Sequence, residues 1–568
     1  MKRPAAYSIL LLSLALFALL FLYPLLTVIA GGFLSDGRLT TRSLVAVFKN
    51  PIYVEGLRNS LGIAVVTTLL VLFIALPLAS LTNRYDFPAK RLFTALLLVP
   101  MILPPFVGAI GFQQIFGQYG AFNALFNLGP IDWLGTGRFW GVVILEALSL
   151  YPIMYLNVSA ALANVDPAME QAAQTLGAGP FTRFRRITLP LIMPGLFAGG
   201  TIVFIFSFTD LGVPLMLNYD RSTPVQIFDA QKDIGGSPLP YVLIFVMLMT
   251  SSLLYLATKL AFGREAHAMH AKASTASITL PLRGLRATLV LLPFVLITFL
   301  ALLPHFGVIL TSFTRPGTWY QSVLPLDLTT RNYEDALGHS MTISSIRNSL
   351  IYSTLAVLFN TLLGLAMAFV IVRSTLRLRW LLDTLAMLPL AVPGLVMAFA
   401  YLAISSNFAR QPWVKESNFW KSLLDVQTNP TLFLVIAYSM RRLPYLVRAA
   451  VAGLQQTSIT LEEAAVNLGA SPFTTIRRIT LPLIFANLIA GAMLAFAFSM
   501  LEVSDSLLLA QRQDYYPITK TIYELFLHIG PGKYIASALG VWAMLFLATT
   551  IVGATVLLGK RLGALFRV

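Results

Sequence analysis

Cysteine is absent from the 568 residues, which excludes disulfides, thiolate-bound zinc and iron–sulfur ligation. Any metal that meets this chain meets oxygen or nitrogen, and no metal site can be assigned from the sequence. Charge is also scarce: 11% of residues are Asp, Glu, Lys or Arg, against about 25% in soluble domains. A G-x-x-x-x-G-K-[ST] phosphate loop is missing too, so the chain carries no signature for hydrolysing a nucleoside triphosphate. No grouping of nucleophile, base and metal ligand suggests catalysis, and the chain is not expected to be an enzyme.

What fills the sequence instead is apolar: 57% of residues are hydrophobic. Apolar runs long enough to cross a hydrocarbon core of about 30 Å as helices recur from end to end. Twelve are counted, at roughly 7–31, 59–82, 93–117, 139–163, 190–213, 240–262, 288–312, 348–371, 380–404, 431–455, 482–509 and 534–558. A barrel would show segments of about ten residues with alternating polarity, so the expected fold is an all-α membrane protein. The first run follows Lys2 and Arg3 but is too long for a signal peptide and lacks a small-residue cleavage site; it is expected to be retained. The net charge of +16 sits mainly in short loops, where it sets orientation and meets anionic lipid. No nucleic-acid partner follows from it, and the modest Lys/Arg bias places both termini in the cytoplasm.

The chain is written twice. Arg58-Asn59-Ser60-Leu61 returns as Arg347-Asn348-Ser349-Leu350, and Pro100 and Pro104 return as Pro389 and Pro393, all displaced by 289 positions. From the fourth run the displacement becomes 292, linking Pro152 to Pro444 and Pro190 to Pro482. Six runs per copy is an even number, so the copies, 1–262 and 288–568, should enter the membrane in the same orientation with a pathway between them. The join at 263–287 is small, polar and basic and is expected to be a cytoplasmic linker. Its His267 and His270 are read as ordinary linker residues, because nothing nearby completes a metal set.

The most faithful part of the repeat is polar. EQAAQTLGAGPFTRFRRITLPLI at 170–192 and EEAAVNLGASPFTTIRRITLPLI at 462–484 share 17 of 23 residues. Asp166 and Ser458 stand where a helix N-cap belongs, and Gly177 and Gly469 where a helix of about ten residues would stop. A second helix then begins at Pro180 and Pro472, carries paired arginines, and enters the membrane at Leu189-Pro190 and Leu481-Pro482. Ala172-Ala173 and Ala464-Ala465 give the first helix a small, flat face, with Glu170 and Glu462 near its positive end. That is the anatomy of a docking element, at about 164–189 and 456–481.

The pattern E-x-A-A with Gly five residues after the first Ala (Glu170, Ala172, Ala173, Gly177; Glu462, Ala464, Ala465, Gly469) resembles the signature loop of permease subunits of bacterial ATP-binding-cassette importers of the type I fold. The resemblance implies a fused pair of six-helix permease domains in the inner membrane. It also implies two separate ATPase subunits, each seated on one coupling loop and binding ATP and Mg, together with a periplasmic or lipoprotein substrate-binding protein. Gln171, where the second copy has Glu463, implies two ATPase contacts of unequal strength. The fused architecture, with FSFTDLGVPLMLNYDRSTP and MRRLPYLVRAAVAGL, is most similar to ferric-iron permeases. Phosphonate, sugar phosphate, thiamine or polyamine would leave the mechanism unchanged.

Few ionisable residues fall inside the runs, and such residues usually face a cavity or a partner. Asp210 aligns with Glu502, and Asp505 follows one turn later; these carboxylates either guide a cation, or cap the outer helix ends or pair with loop arginines. Arg441 and Arg442 belong to one half only, with Ser149 and Leu150 at the aligned places. Neighbours on a helix point about 100° apart, so one arginine is expected to meet Glu502 and the other to reach a polar groove. Glu146 is a further candidate for the pathway. Pro100, Pro104, Pro105, Pro389 and Pro393 are expected to bend the third run of each half. An ion-coupled secondary transporter using Asp210 and Glu502 is the competing reading, but it leaves the twin loops without a purpose.

Overall fold

A computed structural model of the chain describes residues 3–35, 38–101, 104–233, 237–268 and 279–558. Among these residues, nine helices are long and apolar enough to span a membrane: Ala6–Phe33, Pro51–Arg84, Phe139–Ala163, Pro180–Thr209, Leu239–Thr258, Leu285–Phe313, Ser340–Arg373, Pro472–Met500 and Gly532–Gly553. Another, Thr431–Gln456, takes the place of Phe139–Ala163 in the second half; it runs for 26 residues but carries Arg441, Arg442 and Arg448 and is less apolar.

The third and ninth expected runs are not straight crossings. Lys90–Met101 and Pro105–Leu125 meet at 99°, and Arg379–Leu390 and Gly394–Ala409 at 96°. Pro100 and Pro389 lie in short 3₁₀ turns just before the breaks, and Pro105 and Pro393 stand where the chain restarts as helix. Proline offers no amide to the preceding turn and clashes with it, so each run bends sharply at its prolines, as expected. The fifth and eleventh runs also end early, at Thr209 and Met500, and resume as the short helices Gly212–Met216 and Ser504–Leu509.

The halves exchange their first helices. Ala6–Phe33 packs on Leu239–Thr258 of its own half and on Gly394–Ala409 of the other; Leu285–Phe313 packs correspondingly on Gly532–Gly553 and on Pro105–Leu125. At the first crossing the Tyr401 hydroxyl donates to the Leu20 carbonyl at 2.8 Å, and Tyr241 meets Phe399 edge-on at 5.2 Å. At the second, Gly111 and Gly307 bring two backbones into contact: a β-carbon built on Gly111 would lie 2.0 Å from the Pro304 oxygen. Small residues that allow such approach are how helices associate in lipid, where water provides no drive between them.

The join between halves is partly structured. Residues 263–268 continue the sixth helix, and Leu280-Pro281 pairs in parallel with Tyr85-Asp86 of the first half. Residues 269–278, and with them His270, lie outside the described residues.

Candidate coupling loops and intramembrane charge cluster

Each repeated loop forms a short helix, a glycine turn and a second helix that runs into the membrane. Asp166 accepts from the Ala168 amide at 2.9 Å and starts the helix Pro167–Thr175; Ser458 accepts from the Thr460 amide at 3.3 Å and starts Ile459–Asn467. Gly177 and Gly469 follow at φ +82° and +87°, with nothing within 4 Å of a β-carbon placed there. Glycine is required by the left-handed backbone, not by crowding. Pro180 and Pro472 open the second helix, and the paired arginines lie in a single π turn in both copies, Phe184–Thr188 and Ile476–Thr480.

The flat alanine face is only partly free: Ala172 and Ala464 are exposed, Ala173 is half-buried and Ala465 buried. Gln171 and Glu463 both face outward. The most exposed apolar side chains of the loops form a matched set, Leu176 at 87% with Leu468 at 88%, and Phe181 and Phe473 both at 73%. Nothing in the sequence analysis singled them out, although the repeat carries both pairs.

Glu170 and Glu462 do not face the same way as these apolar groups. Arg84, in the last turn of the second span, donates to both oxygens of Glu170 at 2.7 and 2.8 Å, and the Thr188 hydroxyl donates to one of them. Arg373 donates to Glu462 at 3.1 Å and also to the carbonyl and hydroxyl of Thr457 at 3.1 and 3.0 Å. Burial pushes the Glu170 carboxyl up, but the Thr188 and Arg84 hydrogen bonds and the charges of Arg84 and Arg183 outweigh it and hold it below its ordinary 4.5. A depressed carboxyl contributes stability in full above its unfolded value and loses it as pH falls through the folded one. The first loop is therefore expected to loosen only in acid below about 4.5, a change that proteolysis of the loop against pH would report. Arg84 and Arg373 were missed from sequence; their signal is the same 289-position displacement as the repeat.

Deeper in the chain, both arginines of Thr431–Gln456 reach the same carboxylate. Arg441 donates to one oxygen of Glu502 at 2.5 Å, and Arg442 donates to the other and to the Phe498 carbonyl at 3.0 Å. The expectation that only one would meet Glu502 is overturned. Their stems leave the helix on different sides, but an arginine is long enough to curve back, and Glu502 sits in the break after Met500, between the two. Gly394 makes room: a β-carbon there would lie 2.0 Å from the Arg441 guanidinium. Arg442 is further braced by the Phe498 ring, 5.5 Å from its centroid. Asp505, wholly buried, lies 3.6 Å from Arg441, and the Glu502 carbonyl accepts from Thr519 at 2.7 Å.

The first half answers with no arginine. Asp210 caps the helix Gly212–Met216 through the Val213 amide at 2.9 Å, and buried Glu146 accepts from the Ser207 hydroxyl. Asp210 and Glu502 thus occupy equivalent breaks, and the breaks adjoin across the seam: a β-carbon on Gly212 would lie 3.3 Å from Val503. Among the described residues no three of His, Asp and Glu gather as metal ligands.

The description "binding-protein-dependent transport system inner membrane component" matches residues 72–265 and again 360–557. The chain belongs to that family. It is a permease, a multi-pass protein of the bacterial inner membrane, and membership implies ATPase and substrate-binding partners. Among curated relatives, this permease is 29% identical to a putative ferric transport system permease protein, FbpB 1 of Haemophilus influenzae, over 82% of this chain and 70% of the relative. It is 28% identical to the ferric transport system permease protein FbpB of Actinobacillus pleuropneumoniae over 81% and 64%. To the Fe(3+)-transport system permease protein FbpB 2 of Haemophilus influenzae it is 25% identical over 88% of each chain.

Proposed function

We propose that this permease is the membrane pathway of an ATP-driven importer of ferric iron, with one ATPase subunit seated on each repeated loop. The observation that carries the coupling role is the matched set of highly exposed Leu and Phe side chains at the same places on both loops, a surface that needs a partner of the same shape twice. The relatives named for ferric transport over most of the chain support the substrate. ATP and Mg belong to the ATPase subunits, both termini face the cytoplasm, and the iron arrives from a binding protein docked outside.

In the resting state the pathway opens inward. ATP draws the ATPase subunits together, the loops follow, and the halves part on the outer side to receive iron; hydrolysis returns them. Glu502, Asp505, Arg441 and Arg442, with Asp210 and Glu146 opposite, line or gate the route at the seam. A binding site of mixed sign suits iron carried with an anionic chelator, which needs cation and anion contacts together.

Two measurements test this reading. Leu176→Asp with Leu468→Asp changes only exposed positions, so the permease should fold normally yet lose the ATPase subunits on co-purification; retention of both would refute the docking surface. In proteoliposomes holding permease, ATPase and binding protein, radiolabelled Fe(III) uptake should require ATP. Uptake of a phosphonate, sugar phosphate or thiamine in its place would keep the mechanism and overturn iron.

A further inference from the structure

Both repeated loops hold their glutamate turned inward, onto an arginine at the end of a membrane helix. In the first half Arg84 grips Glu170 through two hydrogen bonds at 2.7 and 2.8 Å. In the second, Arg373 reaches Glu462 at 3.1 Å and is fixed from behind by Thr457. The arginine is the last-turn residue of its span in both cases. Around it the two sequences have diverged, NRYDFPAK against VRSTLRLR, yet the ion pair is present in both. The surroundings differ as well: Arg84 is 42% exposed and Arg373 only 8%, and Thr188 bonds Glu170 whereas the aligned Thr480 bonds no side chain.

From this geometry we infer that the Arg84–Glu170 and Arg373–Glu462 pairs are the pins through which each docking helix moves the second span of its half. This deepens the coupling reading given above and rests on it. The docking helices are nine residues each and end in left-handed glycine turns, so one end alone gives a partner little purchase on the membrane core. The carboxylate ties the other end to a helix of 34 residues, Pro51–Arg84 or Ser340–Arg373. Those two helices pack along the fourth and tenth spans and on the fifth and eleventh, so a pull on the loop reaches the helices that carry Glu146 and Arg441 and those that lead into the breaks at Asp210 and Glu502. The glutamates act by positioning, and the contact with the ATPase is made by the exposed apolar groups instead. Charge-assisted hydrogen bonds such as those from Arg84 to Glu170 are shorter and stronger than neutral ones, as a mechanical link requires.

The test uses the full complex of permease, ATPase and binding protein in proteoliposomes. Arg84→Gln with Arg373→Gln should leave the ATPase subunits bound in full amount but lower the Fe(III) carried per ATP hydrolysed by at least about tenfold. Exchanging the charges, with Arg84→Glu, Glu170→Arg, Arg373→Glu and Glu462→Arg together, should recover much of that ratio, which a merely structural loss would not allow. An unchanged ratio, loss of the ATPase subunits, or no recovery on exchange would each overturn the inference. Failure of the underlying coupling reading shows separately, as ATPase retained by Leu176→Asp with Leu468→Asp.

Discussion

Glu502→Gln is expected to be among the most damaging single changes in the membrane core. The side chain is 5% exposed, and its two oxygens are taken by Arg441 and Arg442. Removing the charge leaves two largely enclosed guanidinium groups, 20% and 12% exposed, with only Asp505, 3.6 Å from one of them, as counter-charge. Breaking a buried pair from one side costs about 3–5 kcal/mol, because the remaining charge has lost its solvent without keeping its partner. A melting measurement in detergent should therefore show a large fall, with Glu502→Asp between the two. Replacing the whole set by neutral groups, Arg441→Met, Arg442→Met, Glu502→Met and Asp505→Asn, leaves no charge of the cluster unpaired and should restore most of the stability. Transport should not return with it, since the proposed role of the cluster is in the pathway. Recovery of stability and iron uptake together would make the cluster a structural pairing only.

How much of this could be seen in the sequence depends on whether a feature is local or repeated. The loops were legible because a cap, a glycine and a proline at fixed spacing describe their own backbone, and because they occur twice. The bends in the third and ninth runs were legible as bends, since proline acts on its own helix; their angles were not. The double grip on Glu502 was hidden, because helix geometry gives the direction of a Cβ and not the reach of a guanidinium. Gly394, 47 residues before Arg441 in the chain, had to be placed beside it first. The pins span 86 and 89 positions and needed the fold, though the equal displacement of Arg84 and Arg373 was already visible as a clue. The exchanged first helices left no signal, because Ala6–Phe33 and Leu285–Phe313 lie outside the residues by which the halves resemble one another.

That exchange leads to the second large effect. Gly111→Ala adds one carbon, yet it should loosen the junction between the halves. The new atom would stand 2.0 Å from the Pro304 oxygen and 2.4 Å from the Val308 nitrogen. Both belong to the backbone of Leu285–Phe313, so no side-chain rotation relieves the clash, and the seventh helix must move away as a body. Overpacking usually costs about 1–3 kcal/mol, and here the upper end is expected because a close helix crossing in lipid has dispersion and little else to hold it. Gly307→Ala meets the Gly111 oxygen at 2.7 Å and should do the same from the other side. Gly200→Ala is the matched control: its β-carbon would find its nearest neighbour at 3.6 Å, an ordinary contact, and the protein should behave as unmodified. Size-exclusion profiles of the three variants in detergent make the comparison. If Gly111→Ala eluted and melted like Gly200→Ala, the two halves would not be joined at this crossing. The route between them would then have to be closed by the contacts around Tyr401 and Phe399, whose side chains can adjust, in place of a backbone junction that cannot.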